Sequence, residues 1–93
     1  MDDRHAEALF ASLVLTFQAA AMQHLGKVKN PATDTVERDL QQAQMVIDLL
    51  DMLAVKTRGR LSDQESALLS RTAQELKLNY VDEVAKDQQK APS

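Results

Sequence analysis

The chain has 93 residues and a mass of 10.3 kDa, enough for one domain spanning 1–93, and 11 Lys and Arg against 14 Asp and Glu give a net charge of −3. That acidic balance disfavours a nucleic-acid surface, because such binding draws most of its affinity from cations. The absence of cysteine excludes disulfides, thiolate nucleophiles and Cys-containing zinc sites, and three aromatic residues are too few for a base-stacking platform.

Two breaks divide the chain into three segments. The first is 26–31, where Gly26 is suited to end a helix and Asn30-Pro31 cannot continue one. The second is Gly59, which follows cations suited to the negative end of a helix. No glycine or proline lies inside the three segments, and no strand-like alternation competes. The pattern predicts an all-α fold.

A capping signal follows each break. Asp34 has Glu37 three residues on, and Ser62 has Glu65 at the same spacing, as in a capping box. We therefore expect three long helices in an antiparallel bundle or a hairpin-plus-helix arrangement. Their predicted bounds are 3–25, 35–58 and 63–87, with a frayed polar tail at 88–93.

The first helix has no charged residue from Ala8 to Leu25, so a signal peptide and a membrane span need testing. A signal peptide requires a basic leader, whereas Asp2, Asp3 and Glu7 make this one acidic. A membrane span needs about 20 mostly apolar residues. Polar residues interrupt this stretch, among them Ser12, Thr16, Gln18, Gln23 and His24. We expect a cytoplasmic protein that does not enter a membrane.

The same helix is apolar on opposite faces. One face is predicted to enter the core and carries Phe10, Leu13, Phe17, Ala20 and His24, flanked by Leu9, Val14, Ala21 and Leu25. The reverse face carries Ala8, Ala11, Leu15, Ala19 and Met22. A helix that is hydrophobic nearly all round must be buried nearly all round.

The other two helices have clearer core faces. The second has an apolar arc of Val36, Leu40, Ala43, Val46, Ile47, Leu50, Leu53 and Ala54, which Met45, Leu49 and Met52 extend to one side. The third presents Leu69, Thr72, Ala73, Leu76, Tyr80 and Val84 to the core, and a weaker stripe of Ala67, Leu78, Val81 and Ala85 faces elsewhere.

These leftover stripes predict self-association, because three slim helices cannot bury them all. The residues expected at the contact are Ala8, Ala11, Leu15, Ala19, Met22, Leu78 and Val81. A two-fold dimer is the commonest solution, and another protein is a second possible partner. The alternative is a monomer whose second stripes are ordinary surface hydrophobes.

Candidate catalytic or metal-binding residues are few. His24 fits a core histidine near the end of its helix better than a ligand, and no second His stands at the spacing of a helical zinc pair. Asp51 is a flanking carboxylate suited to pairing, whereas Asp48 lies on the polar face. We expect no catalytic activity, no metal and no cofactor; a small enzyme or metal-binding bundle using His24 and Asp51 is the least favoured alternative.

One basic cluster, Lys56, Arg58 and Arg60, precedes the third helix. Together with the free N–H groups of a helix N-terminus, three cations can hold an anion, so an anion- or nucleic-acid-associated regulator is an alternative function. Arg71 is a further cation for that function. The simpler interpretation is that these cations neutralise the end of the second helix.

The block Ile47-Asp48-Leu49-Leu50-Asp51-Met52-Leu53 followed by Lys56-Thr57-Arg58-Gly59 resembles the small bacterial proteins of domain of unknown function 1844. Further likeness lies in 10–14, 24–26 and 61–62, in Leu68-Leu69 and in Tyr80, so that it extends from about Phe10 to Val84. Arg60 departs from the asparagine expected there. The resemblance implies a compact helical bacterial protein and supplies no activity, cofactor or catalytic residue.

The leading hypothesis is therefore a helical homo-oligomeric interaction module, either a scaffold or an accessory subunit.

Overall fold

The structure is a computed structural model that describes residues 1–90. It contains three helices, α1 (Asp3–His24), α2 (Leu40–Lys56) and α3 (Asp63–Lys90). Each helix packs against the other two. The prediction of an all-α helical bundle is confirmed.

Contacts between helices show their directions. Glu7 bonds to Ser62 and Gln18 to Glu75, at sequence separations of 55 and 57 residues, so α1 and α3 run parallel. Arg38, just before α2, meets Asp87 late in α3. Asp51, near the end of α2, meets Lys77 earlier in α3, so α2 is antiparallel to its neighbours.

The N-terminus of α3 has the predicted capping box. The Glu65 N–H donates to Ser62 Oγ over 3.1 Å, and the Ser62 N–H donates to Glu65 Oε1 over 2.8 Å. These two bonds satisfy backbone donors that a helix start otherwise leaves open. The α1 helix begins similarly, because Asp2 accepts the His5 N–H.

The predicted start of α2 at residue 35 is wrong, because α2 begins at Leu40. Asp34 does not cap a helix: it has a left-handed φ of 55°, and its N–H donates to the Asn30 carbonyl. The Asn30 N–H in turn donates to the Thr35 carbonyl, which closes a local turn. The N-cap is Asp39, whose side chain accepts the Gln42 N–H. Val36, predicted for the apolar arc, is consequently outside the helix and exposed.

The other predicted bounds differ by one to three residues. The α1 helix ends at His24 and α2 at Lys56, whereas α3 continues to Lys90. The predicted frayed tail is therefore helical over 88–90, since no glycine or proline stops α3 there. The rest of that tail, 91–93, lies outside the described residues.

The core draws on all three helices. Its buried apolar residues are Val14, Ala21, Leu25, Ala43, Val46, Ile47, Leu50, Leu69, Ala73 and Leu76. The core predictions for α2 and α3 are mostly confirmed, but α1 is rotated from its predicted orientation. Val14, expected at the flank, is fully buried, while Leu13, expected in the core, is 42% exposed. The stripe through Val14 and Ala21 packs into the core with the buried residues of α2 and α3, and Leu13 lies outside it.

A charged cluster fixes the α1–α2 connection to α3. Lys27 Nζ lies 2.7 Å from Glu83 Oε2 and 3.0 Å from Asp82 Oδ2. Arg38 donates to Asp87 Oδ1 over 2.8 Å and to the Glu83 carbonyl over 3.0 Å. We call these five residues the charged clasp. It holds a long connection that has no helix of its own.

Candidate interaction surfaces

The predicted self-association residues lie mainly along the exposed α1–α3 side. Ala8, Leu15, Ala19, Leu78 and Val81 are exposed, and Ala11 is half-buried. Met22 is an exception, because it is half-buried and packs against the core, which leaves less of it for a partner. Val81 follows Leu78 by three residues, which turns it some 60° further around α3. The predicted residues therefore form a broken surface.

Charged and polar side chains divide that α1–α3 side. Gln18 donates to Glu75 Oε1 over 3.1 Å, which places a polar contact between α1 and α3 on this side. Closer to the N-terminus of α1, Arg71 lines an open cleft with Ala8 and Ala11. A partner placed here would cover these polar groups together with the apolar ones.

A second apolar strip lies on the opposite flank of α1. Leu9 is 46% exposed and Leu13 is 42% exposed. Both lie on the side of α1 away from Gln18, which faces α3, so they are on the flank of α1 turned away from α3. The α2 helix exposes Met45 and Met52 by 57% and 46%, on a side turned away from Asp51, which pairs with Lys77 of α3. Leu49, half-buried, lies between these methionines on the same side of α2. We call Leu9, Leu13, Met45, Leu49 and Met52 the α1–α2 face.

Sequence reasoning missed this face because it assigned Leu13 to the core. A signal for it was present, since Met45, Leu49 and Met52 recur at spacings of four and three residues just beyond the α2 core arc. That stripe contains no charged residue until Lys56.

The predicted anion corner is an exposed turn. Lys56, Arg58 and Arg60 are all exposed, and none forms an ion pair within residues 1–90. Gly59 has a φ of 79°, and the Arg60 N–H donates to the Thr57 carbonyl. The capping box already uses N–H groups at the start of α3. The cations are thus available, but part of the expected backbone anion site is occupied.

An open groove of about 530 Å³ lies between this corner and the middle of α3. Arg58, Ser66 and Ser70 line it, and the Asp51–Lys77 ion pair, with 2.9 Å between Oδ1 and Nζ, closes one side. Asp51 therefore pairs across α2 and α3 within the chain. Nothing in this lining places a base beside a nucleophile within hydrogen-bond distance.

His24, the other candidate for chemistry, is half-buried at the end of α1. Its carbonyl accepts the Asp39 N–H over 2.7 Å, which joins the end of α1 to the start of α2. Its neighbours around a small cavity include Glu37 and Arg38. Within the part of the chain that is described, no three His, Cys, Asp or Glu side chains are grouped to hold a metal ion.

The charged clasp is the strongest electrostatic feature. Hydrogen bonds from Lys27 and Lys86 lower the pKa of Glu83, although its burial opposes this. The bonds to Glu83 and Asp82 raise the pKa of Lys27. Glu83 is buried and Lys27 is partly accessible. Because each group favours the charged form of the other, both stay ionised and paired. Its geometry is that of a structural tie.

By length and composition α1 also resembles a membrane span, and only 11% of its most apolar stretch is buried in the bundle. Core helices of soluble proteins and signal sequences share this composition. Most of the apolar surface of α1 therefore lies outside the core of the bundle.

Comparison with known proteins gives a family. The sequence model of the family described as Domain of unknown function (DUF1844) matches residues 7–82, which is most of the chain. No curated protein and no solved structure matches.

Proposed function

This chain belongs to the DUF1844 family, whose description assigns no activity, and we propose that it is a homo-oligomeric interaction module without catalytic activity. In this role it serves as a scaffold or an accessory subunit in the cytoplasm. We infer this role from the exposed apolar surface of the helical bundle.

The observation that supports this role is the exposed apolar surface on both flanks of α1. Leu9, Leu13 and Leu15 are 42–50% exposed although the core beneath them is filled by Val14 and Ala21. Burying a leucine side chain contributes about 1.5–3 kcal/mol relative to leaving it exposed. A second copy that covers the leucines of one flank would recover part of that free energy.

Membrane insertion is the competing explanation for the apolar surface of α1. It would separate Glu7 and Gln18 from their α3 partners, Ser62 and Glu75. It would also remove Val14 from the core. We therefore expect the purified chain to stay in solution when mixed with phosphatidylcholine vesicles, and flotation of folded protein with the vesicles would contradict this part of the proposal.

Unfolding at different protein concentrations tests self-association. Binding that occurs only in the folded state stabilises it by mass action, so the urea midpoint of a dimer rises with protein concentration. We expect such a rise over a hundredfold concentration range, monitored by helical circular dichroism. A midpoint that does not change with concentration would contradict self-association over that range.

The exposed cations of the predicted anion corner, Lys56, Arg58 and Arg60, favour a second candidate function. In it the chain is an anion- or nucleic-acid-associated regulator. Its distinguishing property is salt-dependent binding, since cation–phosphate contacts release counterions. Neutralising Lys56, Arg58 and Arg60 together would abolish binding to duplex DNA or polyphosphate at low salt. Absence of binding by the unmodified chain at low salt would eliminate this candidate.

A further inference from the structure

The α1–α2 face carries exposed or half-buried apolar residues on two helices. On α2, the exposed Met45 and Met52 flank the half-buried Leu49, and on α1 Leu9 and Leu13 are exposed on the flank turned away from α3. Alpha-helical residues four and three apart share one side, so the three α2 residues form a ridge. Apolar ridges of this kind pack against a matching helix.

The ends of α2 carry opposite charges. Glu37 and Asp39 are exposed before its first turn, while Lys56, Arg58 and Arg60 are exposed at and beyond its last turn. Glu37 and Asp39 accept hydrogen bonds from Asn30 and from the Gln42 N–H, but neither has an ion-pair partner in the described chain. The three cations are likewise without one in residues 1–90.

We propose that a second copy of this chain docks on the α1–α2 face, with the two α2 helices antiparallel about a two-fold axis near Asp48 and Leu49. This inference rests on the proposed self-association and names its surface. The symmetry places Met45 opposite the Met52 of the second copy. It also brings the acidic end of each α2 to the basic end of the other.

Charge and shape favour this pairing. An antiparallel arrangement satisfies both charged ends at once, and it opposes the two helix dipoles favourably. A two-fold interface uses the same patch on both copies, so the ridge meets itself. Methionine at its centre adapts readily to such packing. The α1–α3 side offers less, because Arg71 and the Gln18–Glu75 bond interrupt it.

Cross-linking tests the geometry, because the chain contains no native cysteine. We would mix full-length Met45→Cys and Met52→Cys chains and treat them with a short bifunctional maleimide. The mixture should form covalent dimers far more efficiently than either variant alone, since position 45 faces position 52. The controls are Leu15→Cys and Leu78→Cys for the α1–α3 side, and Gln89→Cys for random collisions.

The outcomes separate the inference from the proposed function. Cross-links through Leu15→Cys or Leu78→Cys, with none between positions 45 and 52, overturn the inference and leave self-association standing. A dimer mass with no cross-link above the Gln89→Cys control does the same. A monomer mass at every concentration, with no cross-links, overturns both.

Charge reversal provides a second test that does not require new cysteines. The Arg58→Glu/Arg60→Glu variant should raise the dimer dissociation constant about tenfold, and Glu37→Lys in the other chain should restore part of the loss. The matched control is Arg71→Glu, another exposed cation without an ion pair in the described chain, which should leave the constant unchanged. Equal weakening by Arg71→Glu would overturn the proposed orientation.

Discussion

At the scale of single residues, Glu83 is the one buried ionisable side chain among residues 1–89. Its carboxylate binds Lys27 and Lys86 at 2.7 and 2.8 Å, and its backbone carbonyl binds Arg38. Loss of this carboxylate leaves two cations without their closest partner. The charged clasp thus converts a long connection into a fixed part of the bundle.

Glu83→Gln should lower the free energy of unfolding at pH 7 by about 2 kcal/mol, the scale of a hydrogen-bonded charged group. The pKa of Glu83 is lowered from its ordinary 4.5, so its contribution is present above that value and is lost as the pH falls through the folded-state pKa. The difference between variant and unmodified chain should therefore shrink below pH 4.5. Urea unfolding at a series of pH values measures it.

The matched control for Glu83→Gln is Glu75→Gln, which changes an exposed carboxylate that is outside every described ion pair and away from the α1–α2 face, and which keeps an oxygen able to accept the bond from Gln18. It should alter stability by less than about 0.5 kcal/mol. If the two variants lost equal stability, or if the Glu83 difference stayed constant down to acid pH, the clasp would not have the assigned role.

The two glycines have nearly the same backbone conformation but different surroundings, so their alanine variants can be compared. Gly26 and Gly59 have φ values of 78° and 79°. A Cβ on Gly26 would lie 3.2 Å from Arg38 Cβ, whereas one on Gly59 would meet nothing within 4 Å. Gly59→Ala should cost about 1 kcal/mol from backbone strain, and Gly26→Ala should cost more because it also displaces a clasp residue.

Thermal or urea unfolding of these two alanine variants measures the difference. Equal losses would mean that a Cβ at position 26 does not displace Arg38.

At the scale of helices, the start of α2 distinguishes the structure from the sequence prediction. Asp39→Ala should cost about 1 kcal/mol, because it removes the side chain that accepts the Gln42 N–H. Asp34→Gly should raise stability, since glycine relieves the left-handed φ of 55°. A loss of stability in Asp34→Gly together with no loss in Asp39→Ala would instead support a helix that starts at residue 35. Urea unfolding of both variants decides between these starts.

Local sequence signals predicted the helix bounds correctly where no other local structure or tertiary contact competes with the helix. Ser62 and Glu65 predicted the start of α3 because both capping bonds form within four residues. Asp34 and Glu37 have the same spacing, but the turn from Asn30 to Thr35 and the tie between Arg38 and α3 compete with a helix there. The contact between Arg38 and Glu83 joins residues 45 positions apart in the sequence, so no local pattern predicts it.

The α1 helix shows the same limit for the candidate surfaces. Its sequence has apolar stripes on several sides, and periodicity alone cannot say which stripe faces the core. The structure buries Val14 and exposes Leu13, which transfers Leu13 to the α1–α2 face. The excess of apolar surface was predictable, but its distribution between flanks depends on the packing of α2 and α3.

At the scale of the whole molecule, an elongated bundle of 55 × 28 × 16 Å combines a small core with much surface. Small domains bury a lower fraction of their surface, so association contributes more to their stability. The ten buried apolar residues form the core, whereas Leu9, Leu13, Met45 and Met52 outside it are 42–57% exposed. Our central claim is that a second copy covers them.

Sedimentation equilibrium of the unmodified chain tests this claim most directly, because it measures mass without reference to any face. We predict a mass of twice 10.3 kDa at high concentration that falls towards 10.3 kDa on dilution. A mass of 10.3 kDa at every concentration would contradict it.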